Sequence, residues 1–226
     1  MNRRIAVLSA LAAAVLVAPV SPAAEPAAST PATADSWQAG TNYQVLAKPQ
    51  RPRISRDKVE INEVFWYGCS HCYALEPALE NWNKKKLDFI EFVRTPVMWG
   101  PMHRQHARLF YTLQALNRPD LHAKVFDTIH RQGNVLAAQS TEQARALHLA
   151  FLKENGVTEK AFAEAYESAA VSAGLAHAER VTLDFAVGGV PLMIVQGKYT
   201  TNVTQAGGEG ELLALITDLA ISEKRR

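Results

Sequence analysis

Cysteine is nearly absent: 226 residues contain two, Cys69 and Cys72. A small exported domain stapled by bridges carries several well-separated cysteines, so that architecture is excluded. Zinc needs about four ligands, and two thiols with one intervening histidine fall short. His103 and His106 stand three apart on a helical pattern but have no second cluster to join, and no metal is expected. Charge of one sign is also missing, with 24 basic residues against 22 acidic ones. Without a polybasic stripe there is no case for nucleic acid, and Lys224-Arg225-Arg226 reads as a solvated tail. No internal repeat is visible.

One uncharged apolar run stands out, over residues 5–20. It follows Arg3 and Arg4 and precedes the small residues Ser21-Pro22-Ala23, which is the layout of a secretory signal peptide over residues 1–23. The run is short for a membrane span. Lipid anchorage is not expected, since no cysteine lies near the cleavage point. Without this segment, 22 basic and 22 acidic residues remain, so the exported chain is formally neutral. Export also places the cysteine pair where disulfides form and persist.

Residues 24–40, rich in Ala, Pro, Ser and Thr, predict a flexible lead-in. A short strand is expected over 43–46 and a mostly apolar one over 59–67, interrupted by Glu63. From Ser70 to about Lys86 the pattern turns helical, with Leu75, Leu79 and Trp82 on one face and Pro77 inside. Residues 89–93 alternate as a strand. Helical patterns then occupy 104–117, 120–132, 140–155 and 158–185, with a capping-box sequence at Ser140-Thr-Glu-Gln143 and a capping threonine at 158. Strand character returns over 188–195, and Gln196-Gly197 turns the chain into a hairpin. A last amphipathic helix covers 211–222. Some eighty helical residues set between strands imply a helical insertion into an α/β domain.

The chemistry concentrates at Cys69-Ser-His-Cys72, where an apolar strand enters and a helix leaves. A bridge closing so short a loop removes little chain entropy, so the pair reads as a reagent and not a staple. Exchange requires a thiolate. A helix N-terminus offers Cys69 free backbone N–H groups and the positive end of the helix dipole, and His71 adds a second stabilising charge.

A C-x-x-C opening a helix after a buried strand, with Val190-Pro191 at the head of a late hairpin, resembles the thioredoxin fold. The helical insert and the Cys-x-His-Cys-Tyr sequence narrow the resemblance to periplasmic thiol–disulfide oxidoreductases of the DsbA type. It spans roughly residues 41–222, with its best motifs at 65–73 and 188–199. The resemblance implies an α/β, thioredoxin-like domain over 41–100 and 186–226. A helical domain over 101–185 would be inserted between the third strand and the C-terminal hairpin.

By position, the resemblance makes Cys69 the nucleophile, Cys72 the buried resolving cysteine and His71 the residue that tunes Cys69. Pro191 would be the cis-proline facing the disulfide, with Val190 before it as a substrate platform. Glu63 matches the family's buried acid, six residues before the first cysteine, and could accept the proton of Cys72. A strand-end carboxylate is the plainer reading of that residue. The redox-active disulfide would be the only cofactor. Further implications are a periplasmic monomer, unfolded exported polypeptides with paired cysteines as substrates, and reoxidation by a quinone-linked membrane protein of the DsbB type. Trp66, Met98, Trp99, Met102 and Leu192 are expected to line a groove beside the pair.

Three features depart from the family pattern. Ser70 stands where proline is usual, so the redox potential cannot be copied across. Pro77 is closer to thioredoxin. The lysine that often accompanies the buried acid has no counterpart, although Arg94 lies nearby in sequence. A thiolate as stable as the family's extreme, a pKa of about 3.5, would stabilise the reduced form by about 4.7 kcal/mol at pH 7 and raise the potential by about 100 mV. The pair would then donate its disulfide. The alternatives are a disulfide isomerase or reductase of the same fold, or a peptide-binding or chaperone module with a vestigial pair.

Overall fold

The central sheet is built around one strand that is covered on both faces. In the computed structural model, which describes residues 37–226 apart from Arg53 and Arg56, this strand is β2 (Val59–Phe65). The expected signal peptide and most of the expected lead-in, through residue 36, lie outside the described residues. Strand β1 is Gln44–Val45, β3 is Ile90–Pro96, β4 is Leu192–Val195 and β5 is Tyr199–Thr201. Their spatial order is β1-β5-β4-β2-β3, with β2 and β3 parallel and every other pairing antiparallel.

Side chains alternate across β2, so Val59, Ile61 and Glu63 share one face while Asn62 and Val64 share the other. The first face carries α1 (Ser70–Lys85) and α8 (Glu209–Lys224), and Ile61 packs there with Leu75, Leu79, Leu215 and Ile216. On the second face Val64 and Ile194 meet Val97, Val181 and Val187. This double covering explains the near-continuous apolar run of the strand. The hairpin between β4 and β5, with Val195 opposite Tyr199, turns on Gln196 (φ 52) and Gly197 (φ 62), and the Lys198 N–H closes the turn on the Val195 carbonyl at 2.9 Å.

The insert contains α2 (Pro101–Ala115), a 3₁₀ turn (Pro119–Leu121), α3 (His122–His130), α4 (Thr141–Glu154), α5 (Glu159–Tyr166) and α6 (Ala169–Asp184). Ser140 Oγ, Thr158 Oγ1 and Ser168 Oγ each accept a backbone N–H three residues on, and so cap α4, α5 and α6. Phe110, Leu121, Phe126, Leu152 and Phe162 form the core of the insert, which continues into Phe65 and Tyr67 at the end of β2. A short helix α7 (Val203–Ala206) precedes α8.

Several boundaries differ from the sequence reading. Helix α2 begins at Pro101, three residues earlier than expected, because proline presets the dihedral of a first helical position. The helix expected over 120–132 is split into the 3₁₀ turn and α3. Strand β3 runs on to Pro96, paired with Phe65; β3 is an edge strand, where a residue without an N–H is tolerated. Trp37, inside the segment read as a lead-in, is part-buried and donates from Nε1 to Asp218 Oδ2 on α8 at 2.9 Å.

Leu152 is fully buried at the centre of the insert. Leu152→Ala is expected to lower the unfolding free energy by about 2–5 kcal/mol, measured by urea denaturation. A loss under about 0.5 kcal/mol would show that the insert core does not support the fold.

Candidate active site

Strand β2 ends at Phe65, and the chain turns through Trp66, Tyr67 and Gly68 into α1. The Cys69 N–H closes the turn on the Trp66 carbonyl at 2.9 Å. Gly68 lies against the Trp66 indole so closely that any Cβ there would collide with the ring. Cys69 is the N-cap residue of α1, and its sulfur accepts the Cys72 N–H at 3.3 Å. The thiol faces the Val190 carbonyl, with Sγ to O 3.4 Å, and the Val190–Pro191 peptide is cis. Both cysteines are free thiols; Cys69 is half-buried and Cys72 has no exposed surface.

The two sulfurs therefore sit in opposite surroundings. The Cys69 pKa is pulled down to about 6, chiefly by a hydrogen bond from the Cys72 thiol. The backbone N–H groups of Cys72 and His71 and the positive charge of His71 add to this, and partial burial opposes it. Burial pushes Cys72 far upward, followed by its donation to Cys69 and the negative charge of Glu63. The sequence reading named the helix terminus and His71 as the causes at Cys69. It missed the donor that matters most, the other cysteine. A pKa near 6 also falls short of the family's extreme, so the drive toward the reduced form is smaller than the sequence estimate.

Beneath the pair lies a buried ionic cluster. Glu63 and Arg94 are cross-strand neighbours in the parallel β2–β3 pairing and share the face under α1. Arg94 Nε donates to Glu63 Oε2 at 3.0 Å, and its Nη2 donates to Glu76 Oε1 and Glu80 Oε1, each at 2.9 Å. Glu76 and Glu80, one turn apart on α1, come down onto the same guanidinium. Burial raises both Glu63 and Glu76 to about 7, against the pull of Arg94. One cation facing three carboxylates cannot hold all of them ionised without strain, and the proton affinity of the site rises accordingly.

The structure thus brings Cys69, Cys72, Val190 and Pro191 together, keeps His71 exposed at the rim, and buries Glu63 below. A groove of about 570 Å³ beside the pair is lined by His71, Ala74, Phe185, Val190, Pro191 and Leu192. Of the expected groove residues, Leu192 lies in it, whereas Met98 is buried in the core of the insert. Trp66 lies tilted against His103 at 4.4 Å between centroids, and exposed Trp99 meets the same imidazole edge-on at 5.3 Å. Met102 is exposed. Arg94, Glu76 and Glu80 were not read as site residues. The Glu76–Glu80 spacing beside Leu75 and Leu79 was the one signal available, because strand register, which sets Arg94, is not written in the pattern.

No protein-family model matches the chain. Curated relatives do. The thiol:disulfide interchange protein DsbA of Pseudomonas aeruginosa is 36% identical over 195 residues, covering 86% of this chain and 89% of that protein. The protein of the same name from Burkholderia cepacia is 39% identical over 163 residues, 72% and 74% of the two chains. Among solved structures, P. aeruginosa DsbA superposes with a TM-score of 0.76 at 34% identity, covering 85% of this chain and 97% of that one. The oxidoreductase NmDsbA1 from N. meningitidis gives 0.71 at 28% identity, covering 83% and 94%.

Thiolate absorbance of the reduced protein is expected to titrate with a midpoint near pH 6; a midpoint above 8 would contradict the geometry at Cys69. Glu63 has a folded pKa above its unfolded value of 4.5, so its contribution to stability is complete below pH 4.5 and is lost as pH rises through about 7. Glutamine stays neutral throughout. Glu63→Gln should therefore be about 1–3 kcal/mol more stable than the native protein at pH 8, with the two curves converging below pH 4.5. A difference independent of pH would contradict the buried, raised carboxylate.

Proposed function

The chain belongs to the DsbA family of thiol:disulfide oxidoreductases, and from that premise we propose a role for each residue of the cysteine site. The protein acts on exported, cysteine-containing polypeptides and works in the periplasm, to which the segment 1–23 would direct it as a signal peptide. The observation that carries the proposal is the unequal environment of the two sulfurs: Cys69 half-exposed at a helix N-terminus, Cys72 sealed behind it.

In the oxidising direction a substrate thiolate attacks Cys69 Sγ. The Cys69–Cys72 bond breaks, a mixed disulfide forms on Cys69, and Cys72 leaves with the electron pair. Its burial makes a lasting thiolate costly, so Cys72 takes a proton, with Glu63 as the donor. A second substrate thiolate then attacks the substrate sulfur of the mixed disulfide. Cys69 leaves as a thiolate, already favoured by the donors around it, and a low-pKa leaving group departs faster. Two electrons have passed to the protein and the substrate holds a disulfide.

Val190 and Pro191 hold the substrate segment. The Val190 carbonyl stands beside Cys69, and the flanking groove, part apolar and part polar, accepts side chains of an extended chain. His71, at the rim, favours the thiolate of Cys69 through its charge and its backbone N–H. Reoxidation reverses the flow: Cys69 attacks an external disulfide, Cys72 resolves the adduct, and Glu63 takes the proton back. A quinone-linked membrane protein of the DsbB type is the acceptor we propose.

Cys69→Ser should lose disulfide transfer to an unfolded dithiol polypeptide and trap no substrate, while Cys72→Ser, mixed with a polypeptide disulfide, should accumulate a mixed disulfide on Cys69 by exchange, visible by non-reducing electrophoresis. Trapping on Cys72 instead would overturn the assignment. The equilibrium constant of the pair with glutathione gives the direction. An oxidising pair supports donation, and a value as reducing as that of thioredoxin would favour a reductase.

A further inference from the structure

Besides the cysteine groove and a second cavity of about 620 Å³ at Glu76 and Arg94, the structure holds a third, of about 540 Å³, in the helical insert. It is bounded by α2, the start of α4, the end of α5 and α6, and it shares no lining residue with the cysteine groove. Its size suits a small organic molecule. Met98, Leu175 and Ala176 give it apolar surface, and Met98 and Tyr166 are buried.

The charges at this cavity do not cancel. Two guanidiniums, Arg104 and Arg108, stand against one carboxylate, Glu179. Arg104 takes both oxygens of Glu179 at the exposed rim, which neutralises that pair. Arg108 is part-buried and has no carboxylate partner among the described residues. It is nonetheless fixed in place: Nη1 donates to the Tyr166 carbonyl at 3.0 Å, and the guanidinium lies over the Tyr166 ring, 5.1 Å from its centroid. A guanidinium carries five N–H donors, and that carbonyl takes one of them.

Tyr166 supplies an independent sign of a missing partner. It is 2% exposed, yet its hydroxyl makes no hydrogen bond to any described residue, and it belongs to the cavity wall. Burial raises its pKa, so the phenolic proton is retained and available for donation. Buried polar groups are seldom left unpaired. Thr141, the first residue of α4, also lines the cavity and sets the positive end of that helix against it.

We propose that this cavity binds a small organic carboxylate with an apolar body. The carboxylate accepts from the Arg108 guanidinium and the Tyr166 hydroxyl, and the body lies against Met98, Leu175 and Ala176. Hydrogen bonds from a charged donor to a charged acceptor are the strong ones, and a planar guanidinium matches a carboxylate. An inorganic anion would leave the apolar wall uncovered, and a neutral apolar molecule would leave Arg108 and the hydroxyl unanswered. A molecule held this way joins α2, α5 and α6, so binding stabilises the folded insert. The site is separate from disulfide exchange at Cys69.

The test titrates hydrocinnamate into the oxidised protein, with hydrocinnamide as the neutral probe of the same shape. Isotope-labelled methionine methyl groups report the place of binding by NMR: Met98 lines the cavity, whereas Met193 follows the groove residue Leu192. Hydrocinnamate is expected to shift Met98 with a Kd of about 1 mM, and the amide to bind at least about tenfold more weakly. Arg108→Gln should weaken hydrocinnamate about tenfold and Tyr166→Phe about fivefold. Ala176→Trp, which fills the cavity from an exposed position on α6, should abolish binding. If Arg108→Gln does not fold, Tyr166→Phe and Ala176→Trp decide the matter. Equal affinity for acid and amide, or affinity unchanged in both Arg108→Gln and Tyr166→Phe, would reduce the cavity to an unselective apolar cleft and overturn the proposal. A saturable shift at Met193 without one at Met98 would place the probe in the cysteine groove and overturn it as well.

Discussion

Arg94 holds three carboxylates beneath the first turns of α1, and the seating of that helix depends on it. Two of the three, Glu63 and Glu76, are buried. Buried charges without a partner are strongly unfavourable, and losing the one cation that pairs buried carboxylates destabilises a protein by about 3–5 kcal/mol. The guanidinium can satisfy both because the β2–β3 register sets Arg94 beside Glu63 while the spacing of Glu76 and Glu80 brings one face of α1 onto it. Helix, sheet and the cysteine pair at the helix end are tied to one cation.

The same arrangement leaves the cluster with excess negative charge under the buried sulfur. That charge opposes ionisation of Cys72 and favours protonation of Glu63, while at the other side of the pair backbone N–H groups and His71 favour ionisation of Cys69. A gradient of proton affinity thus runs from the groove inward, over the length of one helical turn. Cys72 donates its thiol proton toward Cys69, so the resolving residue is also the largest stabiliser of the attacking one. The two cysteines act as a unit, and neither pKa belongs to one residue alone.

Ser70 is less consequential for the geometry than its place in the motif suggests. It is exposed at the first position of α1, and the contacts that lower the Cys69 pKa come from Cys72 and His71. The insert supports the motif from behind: His130 Nε2 donates to the Tyr67 carbonyl at 2.8 Å and the ring stacks flat on Tyr73 at 4.7 Å, so α3 clamps the turn and the start of α1.

Local chemistry made much of this legible. The buried strand at residues 59–65, the Gln196-Gly197 turn, the serine and threonine caps of the insert and the cysteine pair at a helix start are each written in a short stretch of residues, because periodicity, turn dihedrals and capping hydrogen bonds are satisfied within a few positions. Helix starts at prolines were placed late, since the apolar pattern begins after the first turn. What the sequence by itself determined is that two thiols stand at a helix N-terminus in an α/β domain with a helical insertion. Only the tertiary structure decided that Met98 is core, that Arg94 pairs with Glu63, and that a second cavity reaches Glu76. Those facts depend on strand register and on helices packing across long stretches of chain, where contacts between distant residues, and not local preference, set the free energy.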